Sequence, residues 1–504
     1  MALRPIKKVL VANRGEIACR VIACCQARGI ATATVFSEPD RASRHVLDAG
    51  EAICIGPAPA RESYLDIGKV LAAAKKCGAD AIHPGYGFLS ENAVFAAACD
   101  EAGLLFIGPT ASAIRALGNK TAARQLVSRH GVPLVPGVEE PIASAREGLE
   151  AAGRIGFPVL IKAAAGGGGK GMRVVREPSD FASAFERAGS EAMASFGDSS
   201  IYVEKYLASP RHIEVQVMAD LHGHAVYLGE RECSVQRRHQ KLLEETPSVC
   251  VTPQLRLRMG EAALAAVRAA GYSNLGTVEF LVDEERNFFF LEVNTRLQVE
   301  HPVTEAVTGL DLVYEQIRIA EGHELSVRQQ DVQPRGHAIE CRVSAEDPFA
   351  GFVPSPGRIR VYKEPRAPWV RVDTGIYAGY EVSLHYDPLL SKVIAWGPDR
   401  ATAIERMADA LRDYVIEGIR TSIPFHLLLL SNPQFVAGNL ATDFIDRHME
   451  IEQSGGSREH RDVAAFAAAW LRHTRTAESA KAPRAGSAGN WQLAGRPGGR
   501  RPWA

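Results

Sequence analysis

The sequence carries almost no excess charge of either sign: 58 Lys and Arg stand against 59 Asp and Glu, a formal net charge of −1 over 504 residues. That balance excludes a chain-wide surface for nucleic acid or acidic membrane, and leaves room only for a local basic cleft. Long hydrophobic runs are missing too. No stretch approaches the roughly 18 to 20 apolar residues of a membrane span, the longest leucine cluster being residues 427–430 in a polar setting. The nine cysteines include no Cys-x-x-Cys pair and no His-spaced cluster, so the zinc patterns are absent. Their odd number is read as buried, reduced thiols in a cytoplasmic protein. Ahead of Asn13-Arg14-Gly15-Glu16 there is only a short apolar run, too little for a signal or transit peptide. A dinucleotide-binding turn is absent as well, since the loop after the first predicted strand has the single glycine Gly15 where three are needed. The residues that are present, 46% hydrophobic and 23% charged, give the composition of a globular protein. Its length allows roughly three domains at ~150 residues each.

Over residues 7–110, short apolar runs alternate with helix-length segments, which predicts a doubly wound parallel sheet without NAD. Residues 207–310 read instead as antiparallel strands, with period-2 alternation in Ile213-Glu214-Val215-Gln216-Val217 and a hairpin closing near residues 283–287. A third unit over residues 336–446 mixes strands and helices, so the body is α+β with an α/β beginning. After residue 453 Gly, Ala, Ser and Pro dominate; one Ala-rich helix is predicted over residues 462–473 and disorder beyond it.

The run Ala165-Gly166-Gly167-Gly168-Gly169-Lys170-Gly171-Met172 satisfies a bare G-x-G-x-x-G. It leads into strand-like Met172-Arg173-Val174-Val175 and not into a helix, so the Rossmann reading fails on context, and the Walker reading fails for want of Lys followed by Ser or Thr. Four consecutive glycines exceed the need of a structural turn, whereas a mobile flap whose amides wrap phosphate oxygens uses them all. The second signal is a pair of strands. Glu292 and Asn294 share a face, and the hairpin brings Glu279 almost opposite them. Two facing carboxylates repel, and a divalent cation with all-oxygen ligands, the magnesium pattern, removes the conflict. The third signal is cationic: Gln236-Arg237-Arg238-His239-Gln240-Lys241, Arg296 close behind the metal strand, and Lys120, Lys162 and His212. Such a set suits an anionic substrate held beside ATP, with Glu300 as a base.

In these residues the chain resembles the biotin carboxylases, the ATP-grasp components of biotin-dependent carboxylases. The matching stretches are Ala12-Asn13-Arg14-Gly15-Glu16-Ile17-Ala18, His83-Pro84-Gly85-Tyr86-Gly87-Phe88-Leu89-Ser90-Glu91-Asn92, the glycine flap, Arg211-His212-Ile213-Glu214-Val215-Gln216, residues 230–241, residues 294–305 and Glu340-Cys341-Arg342. They run in the family's order over about residues 5–446. The resemblance implies a pre-ATP-grasp domain over residues 5–117, an ATP-grasp domain over 118–335 with a glycine-rich lid at about 138–206, a C-terminal mixed α/β domain over 336–446, and a tail over 453–504.

It also implies roles. Lys120, Lys162 and His212 would contact ATP phosphates or ribose under the flap of Gly167, Gly168 and Gly169, with Gln236 and His239 also at the nucleotide. Glu204, Lys205 and Leu207 match the hinge that holds adenine. Glu279 and Glu292, with Asn294 beside them, would ligate magnesium or manganese. Lys241, Arg296 and the Val299 amide would hold bicarbonate, Glu300 would deprotonate it, and Arg342 would stabilise the enolate of biotin. Three departures from the family pattern, Gly50, Asn119 and Ala164, fall on none of these residues. A Met-Lys-Met biotinylation triplet is absent. The expectation is therefore biotin on a separate carboxyl carrier protein, separate carboxyltransferase subunits, a homodimer, and an acyl-CoA acceptor, acetyl-CoA with its link to fatty acid biosynthesis foremost. Stretch 387–392 is weakly like the longer acyl-CoA carboxylase chains, and propionyl-CoA and pyruvate stay open. Another ATP-grasp ligase would share the flap and the two acids without needing Arg342; a nucleotide-sensing scaffold without activity would not need Lys241, Arg296 and Glu300.

Overall fold

The computed structural model describes residues 3–138, 141–163, 172–196 and 199–450, with the side chains of residues 120, 121, 163, 195 and 196 outside that description. The predicted glycine flap, including Gly167, Gly168 and Gly169, and the tail with its predicted helix lie outside the described residues. Among the described residues no helix is long and apolar enough to cross a membrane.

The amino-terminal sheet holds β1 (Lys8–Val11), β2 (Ala31–Ser37), β3 (Glu51–Gly56), β4 (Ala81–His83) and β5 (Leu105–Phe106), all parallel, in the order β3-β2-β1-β4-β5. Parallel strands need crossovers, and helices such as Gly15–Gln26 and Ile67–Cys77 provide them. The second of these shows why the sequence folds this way. Asp66 caps it by accepting from the Lys69 amide, Val70, Ala73, Ala74 and Cys77 form its buried stripe, and Gly78 ends it with a φ of 63°. Asn119 caps the helix Lys120–Ser128 in the same manner, accepting from the Ala122 amide at 2.9 Å. A carboxylate at this position would make the same bond, so that departure is structurally mild. Gly50 is tighter, because a Cβ there would meet the Thr32 carbonyl oxygen at 3.1 Å.

Next comes a three-stranded antiparallel unit, β6 (Val159–Ala163) between β7 (Arg173–Val175) and β8 (Ile201–Lys205). The larger antiparallel sheet has eight strands: β13 (Phe288–Asn294), β12 (Asn274–Val282), β9 (Arg211–Ala219), β10 (Ala225–Arg237), β11 (Gln240–Thr246), β14 (His337–Ser344), Leu389–Gly397 and Val370–Thr374, in that spatial order. The pairing of β11 with β14 carries the sheet without a break across residue 335. On one face Ile213, Val215 and Val217 pack with Phe280, Phe290 and the buried stripe of the helix Pro253–Ala269. The hairpin of β12 and β13 closes as predicted, Asp283 and Asn287 bonding across the turn, and Glu279 stands directly opposite Glu292.

Phe280 is 0% exposed and meets Phe288 and Phe290 edge-on at centroid distances of 5.4 and 6.4 Å. Phe280→Ala is expected to cost about 3 to 5 kcal/mol in chemical denaturation, while Leu384→Ala, at a site 68% exposed, should stay within about 0.5 kcal/mol of the parent.

Candidate active site

Strand alternation turns Glu214 and Gln216 of β9 away from the apolar core. In an ordinary half-buried sheet they would meet water. Here both are 0% exposed, so each polar atom needs a partner within the protein. Arg231 of β10, equally buried, supplies several. Its Nε donates to Glu214, its Nη1 to Gln216 Oε1 at 2.7 Å and Thr304 Oγ1 at 3.0 Å, and its Nη2 to Gln298 Oε1 at 2.8 Å and Thr277 Oγ1 at 3.1 Å. One guanidinium thus ties β9, β10 and β12 to the segment after β13.

Lys241, at the start of β11, stands beside this arginine. It donates to Glu214 Oε2 at 2.6 Å, Glu300 Oε1 at 2.7 Å and Glu279 Oε1 at 3.0 Å. The second Glu300 oxygen accepts from Arg342 Nη2 at 2.9 Å, and Arg342 Nε donates to Glu244 Oε1 at 2.7 Å. The second Glu279 oxygen lies 3.2 Å from His212 Nε2, and Gln298 Nε2 donates to the first at 2.9 Å. Lys241, His212, Glu279, Glu300 and Arg342, read from distant parts of the sequence, therefore meet in one continuous network.

The electrostatics follow from burial and pairing. Desolvation lowers Lys241, but Cys233, Glu214, Glu279 and Glu300 outweigh it and hold the ammonium well above the ordinary lysine range. Burial would likewise raise Glu300, yet Lys241, Arg342 and Arg231 pull it below the usual carboxylate range. Glu279 is lowered the same way against its own desolvation, by Lys241 and His212. Glu244 goes the other way. Desolvation lifts it to about 7 even against Arg342, and Glu340, its register partner on β14, is raised well above a normal glutamate, chiefly by burial.

Arg296 sits at the edge of this network. Its Nε donates to Glu91 Oε2 at 2.9 Å and its Nη2 to Asn294 Oδ1 at 3.0 Å, so an amino-terminal-domain carboxylate aims it. Glu279, Glu292 and Asn294 offer oxygen donors from the paired strands β12 and β13, a chemistry that fits magnesium. Among the described residues, the sets of three candidate ligand atoms within 4.8 Å are His212-Glu214-Glu279 and Glu214-Cys233-Glu300. Lys241 already bonds the carboxylates of both sets.

A second group of contacts forms on β6 and β8. Lys162 Nζ bonds Glu204, whose other oxygen pairs with Arg124 at 3.0 Å, and Lys205 Nζ donates to the Gly156 and Phe157 carbonyls. Leu207 is half-buried just beyond β8. The cationic run is divided by its own hairpin. Arg238 and His239 are the exposed turn residues, with φ of 49° and 66°, while Gln236 and Lys241 are paired across the two strands. Val299 accepts through its carbonyl from Lys392 Nζ at 2.7 Å. The Lys120 side chain is outside the described residues.

Sequence reasoning gave no role to Glu214, Arg231, Gln298, Glu244 or Glu91. A signal existed for the first: Glu214 lies in a strand between apolar neighbours, whereas Arg231 is flanked by Glu230 and Glu232 and shows no such alternation. Alternation alone does not say that the polar face is buried.

Three family models match the chain in succession: the biotin carboxylase N-terminal domain over residues 5–114, the ATP-binding domain of the carbamoyl-phosphate synthase L chain over 119–328, and the biotin carboxylase C-terminal domain over 340–447. A biotin carboxylase of Nostoc is 53% identical over 438 residues, covering 87% of this chain and 98% of its own length. A pyruvate carboxylase subunit of Methanothermobacter thermautotrophicus is 51% identical, over 88% of this chain and 90% of its own. Among solved structures, the biotin carboxylase domain dimer of the Hydrogenobacter thermophilus 2-oxoglutarate carboxylase, in complex with MgADP, ADP and bicarbonate, is 44% identical with a TM-score of 0.83, covering 89% of this chain and 99% of that one. Given these matches and the three-domain architecture that they share, the chain belongs to the biotin carboxylase family of ATP-grasp ligases.

Proposed function

We propose that the chain carboxylates biotin borne on a carboxyl carrier protein, using ATP and bicarbonate, as the biotin carboxylase subunit of an acetyl-CoA or other acyl-CoA carboxylase. The observation that carries this reading is the bridging position of Glu300, with one oxygen on Lys241 and the other on Arg342. A base between two cations can serve two anions in turn: bicarbonate at Lys241 and Arg296, and the ureido group of biotin at Arg342.

In this scheme Lys241, Arg296 and the Val299 amide hold bicarbonate, and Glu300 takes its proton. The pairing that holds Glu300 below the usual range keeps it ionised and ready at neutral pH. When bicarbonate draws Lys241 to itself, Glu300 loses a cation and becomes a better base. A bicarbonate oxygen attacks the terminal phosphorus of ATP, ADP leaves, and carboxyphosphate forms. Its breakdown gives carbon dioxide and phosphate. Phosphate takes the proton from the biotin ring nitrogen, that nitrogen attacks carbon dioxide, and Arg342 offsets charge on the ureido oxygen. Lys120, Lys162, His212 and the flap glycines are assigned to the phosphates, Gln236 and His239 to the nucleotide, and Glu204, Lys205 and Leu207 to adenine. Glu279, Glu292 and Asn294 would hold magnesium or manganese, which supplies charge neutralisation for the transferring phosphoryl group.

Carboxyltransferase subunits would pass the carboxyl group on. We take the domain limits as residues 5–117, 118–335 and 336–446, and the working unit as a homodimer, the form in which the Hydrogenobacter domain was solved. Relatives named for pyruvate and 2-oxoglutarate carboxylases match almost as well as the Nostoc biotin carboxylase, so acceptor assays decide the final step.

Glu300→Gln should lower biotin-stimulated, bicarbonate-dependent ATP hydrolysis by about 10² to 10⁴, while ATP affinity measured by calorimetry changes less than about threefold; an undiminished rate would remove Glu300 as the base. Arg342→Met should keep the slow hydrolysis seen without biotin and lose about 10² or more of the stimulation that free biotin adds. The native complex, isolated with its transferase, is expected to carboxylate acetyl-CoA or propionyl-CoA, and turnover of pyruvate alone would sink the acyl-CoA assignment.

A further inference from the structure

Lys392 lies on the strand Leu389–Gly397 with its side chain 0% exposed. A lysine so buried persists only where acceptors surround the ammonium group. The Val299 carbonyl accepts from Nζ at 2.7 Å, Glu16 Oε2 lies 3.3 Å away, and Asp373 Oδ2 lies 3.9 Å away. Glu16 is fixed in turn by the Tyr86 hydroxyl, and the Lys392 ammonium stands 6.0 Å from the centroid of the Tyr86 ring. Arg342 is the register partner of Lys392 on β14. The stretches around residues 13–16, 83–92 and 387–392, to which the reaction scheme gives no task, thus converge on the back of one peptide.

That peptide joins Val299 to Glu300. Because it is planar, fixing its carbonyl orients the Glu300 amide and the Cα atoms of Val299 and Glu300. The Val299 N–H assigned to bicarbonate belongs to the preceding peptide and leaves that fixed Val299 Cα, while the other flank carries Glu300. Lys241 and Arg342 pull on the Glu300 carboxylate from opposite sides, so the direction of the side chain depends on a backbone that does not rotate.

We propose that Lys392 is a positioning residue for the carboxylation reaction: through the Val299 carbonyl it fixes the peptide between the bicarbonate-holding amide and the proton acceptor, with Glu16 and Tyr86 fixing Lys392. The inference rests on the biotin carboxylase reading of the site. It bears on bicarbonate handling rather than ATP handling, because the Lys392 partners Val299, Glu16 and Asp373 include none of the side chains assigned to ATP, and Lys162, Glu204 and Lys205 make their contacts on β6 and β8.

Steady-state kinetics of bicarbonate-dependent ATP hydrolysis, with and without free biotin, test this on full-length protein. Lys392→Met should raise the KM for bicarbonate about tenfold or more and lower kcat, with the KM for ATP within about twofold of the parent. Lys392→Arg should recover part of the loss, since a guanidinium keeps the charge and a donor. An unchanged bicarbonate KM in Lys392→Met, or a rise shared equally by ATP, overturns the inference. If Lys392→Met gives no folded protein, Tyr86→Phe decides: it removes only the hydroxyl that holds Glu16, and should raise the bicarbonate KM about threefold at constant ATP KM, no change being the overturning result. A parent protein without bicarbonate-dependent hydrolysis would overturn the functional reading itself, whereas an active parent with an indifferent Lys392→Met overturns this inference alone.

Discussion

An ammonium group shared among three buried carboxylates is the constraint on which the site depends. Neither Lys241 nor Glu279 and Glu300 could remain charged alone at this depth, since desolvation opposes each of them. As a set they hold one another ionised. The set is over-supplied with carboxylates around Lys241, and Arg231 and Arg342 balance it from the periphery. In the proposed scheme such an arrangement would accept small anions and metal cations by exchange: a bicarbonate at Lys241, or a divalent ion at Glu279, would substitute for a contact already present instead of creating a charge in isolation.

Strand register makes the set possible. A one-residue slip in β9 would send Glu214 and Gln216 into the apolar core and Ile213 and Val215 into the charged layer, so burial on both faces specifies the pairing strongly. The same logic extends across β11 and β14. Leu243 and Cys341 face the apolar cluster beneath Met407 and Phe425, which sets Glu244 and Glu340 opposite each other on the other side. Arg342, two residues beyond Glu340, then falls within reach of both Glu244 and Glu300.

How much of this the sequence disclosed depended on what kind of physics a residue obeyed. The opposition of Glu279 and Glu292 was legible because hairpin closure and period-2 alternation are local. The parallel amino-terminal sheet was legible because its strands are continuous apolar runs separated by helix-length segments. Lys241 and Glu300 were singled out by their charge, but Arg342 and the joining of the three came from a family resemblance, since Arg342 lies 101 positions after Lys241 and no local rule joins them. Glu214 escaped because alternation says which face a side chain takes, and not whether that face is wet. His239 shows the converse: a cationic run read as one unit is divided by a turn that exposes His239 and leaves Lys241 in the network.

The contacts that aim the site residues come from outside the strands that carry them. Glu91, from the amino-terminal domain, orients Arg296. Glu305, just after the Val299 and Glu300 segment, is gripped by Arg20 of the first helix and Arg371 of the carboxy-terminal domain. Lys392 reaches Val299 from the strand Leu389–Gly397, on the same face as Arg342. Each is long-range in sequence, so none can form until the domains have packed. The orientation of Arg296 and of the Val299–Glu300 segment therefore reports on domain packing more than on any single strand. On the proposed assignment, a substitution at a domain boundary would consequently alter bicarbonate chemistry without touching a residue assigned to bicarbonate, because Arg296 and the Val299–Glu300 segment are held by partners belonging to other domains.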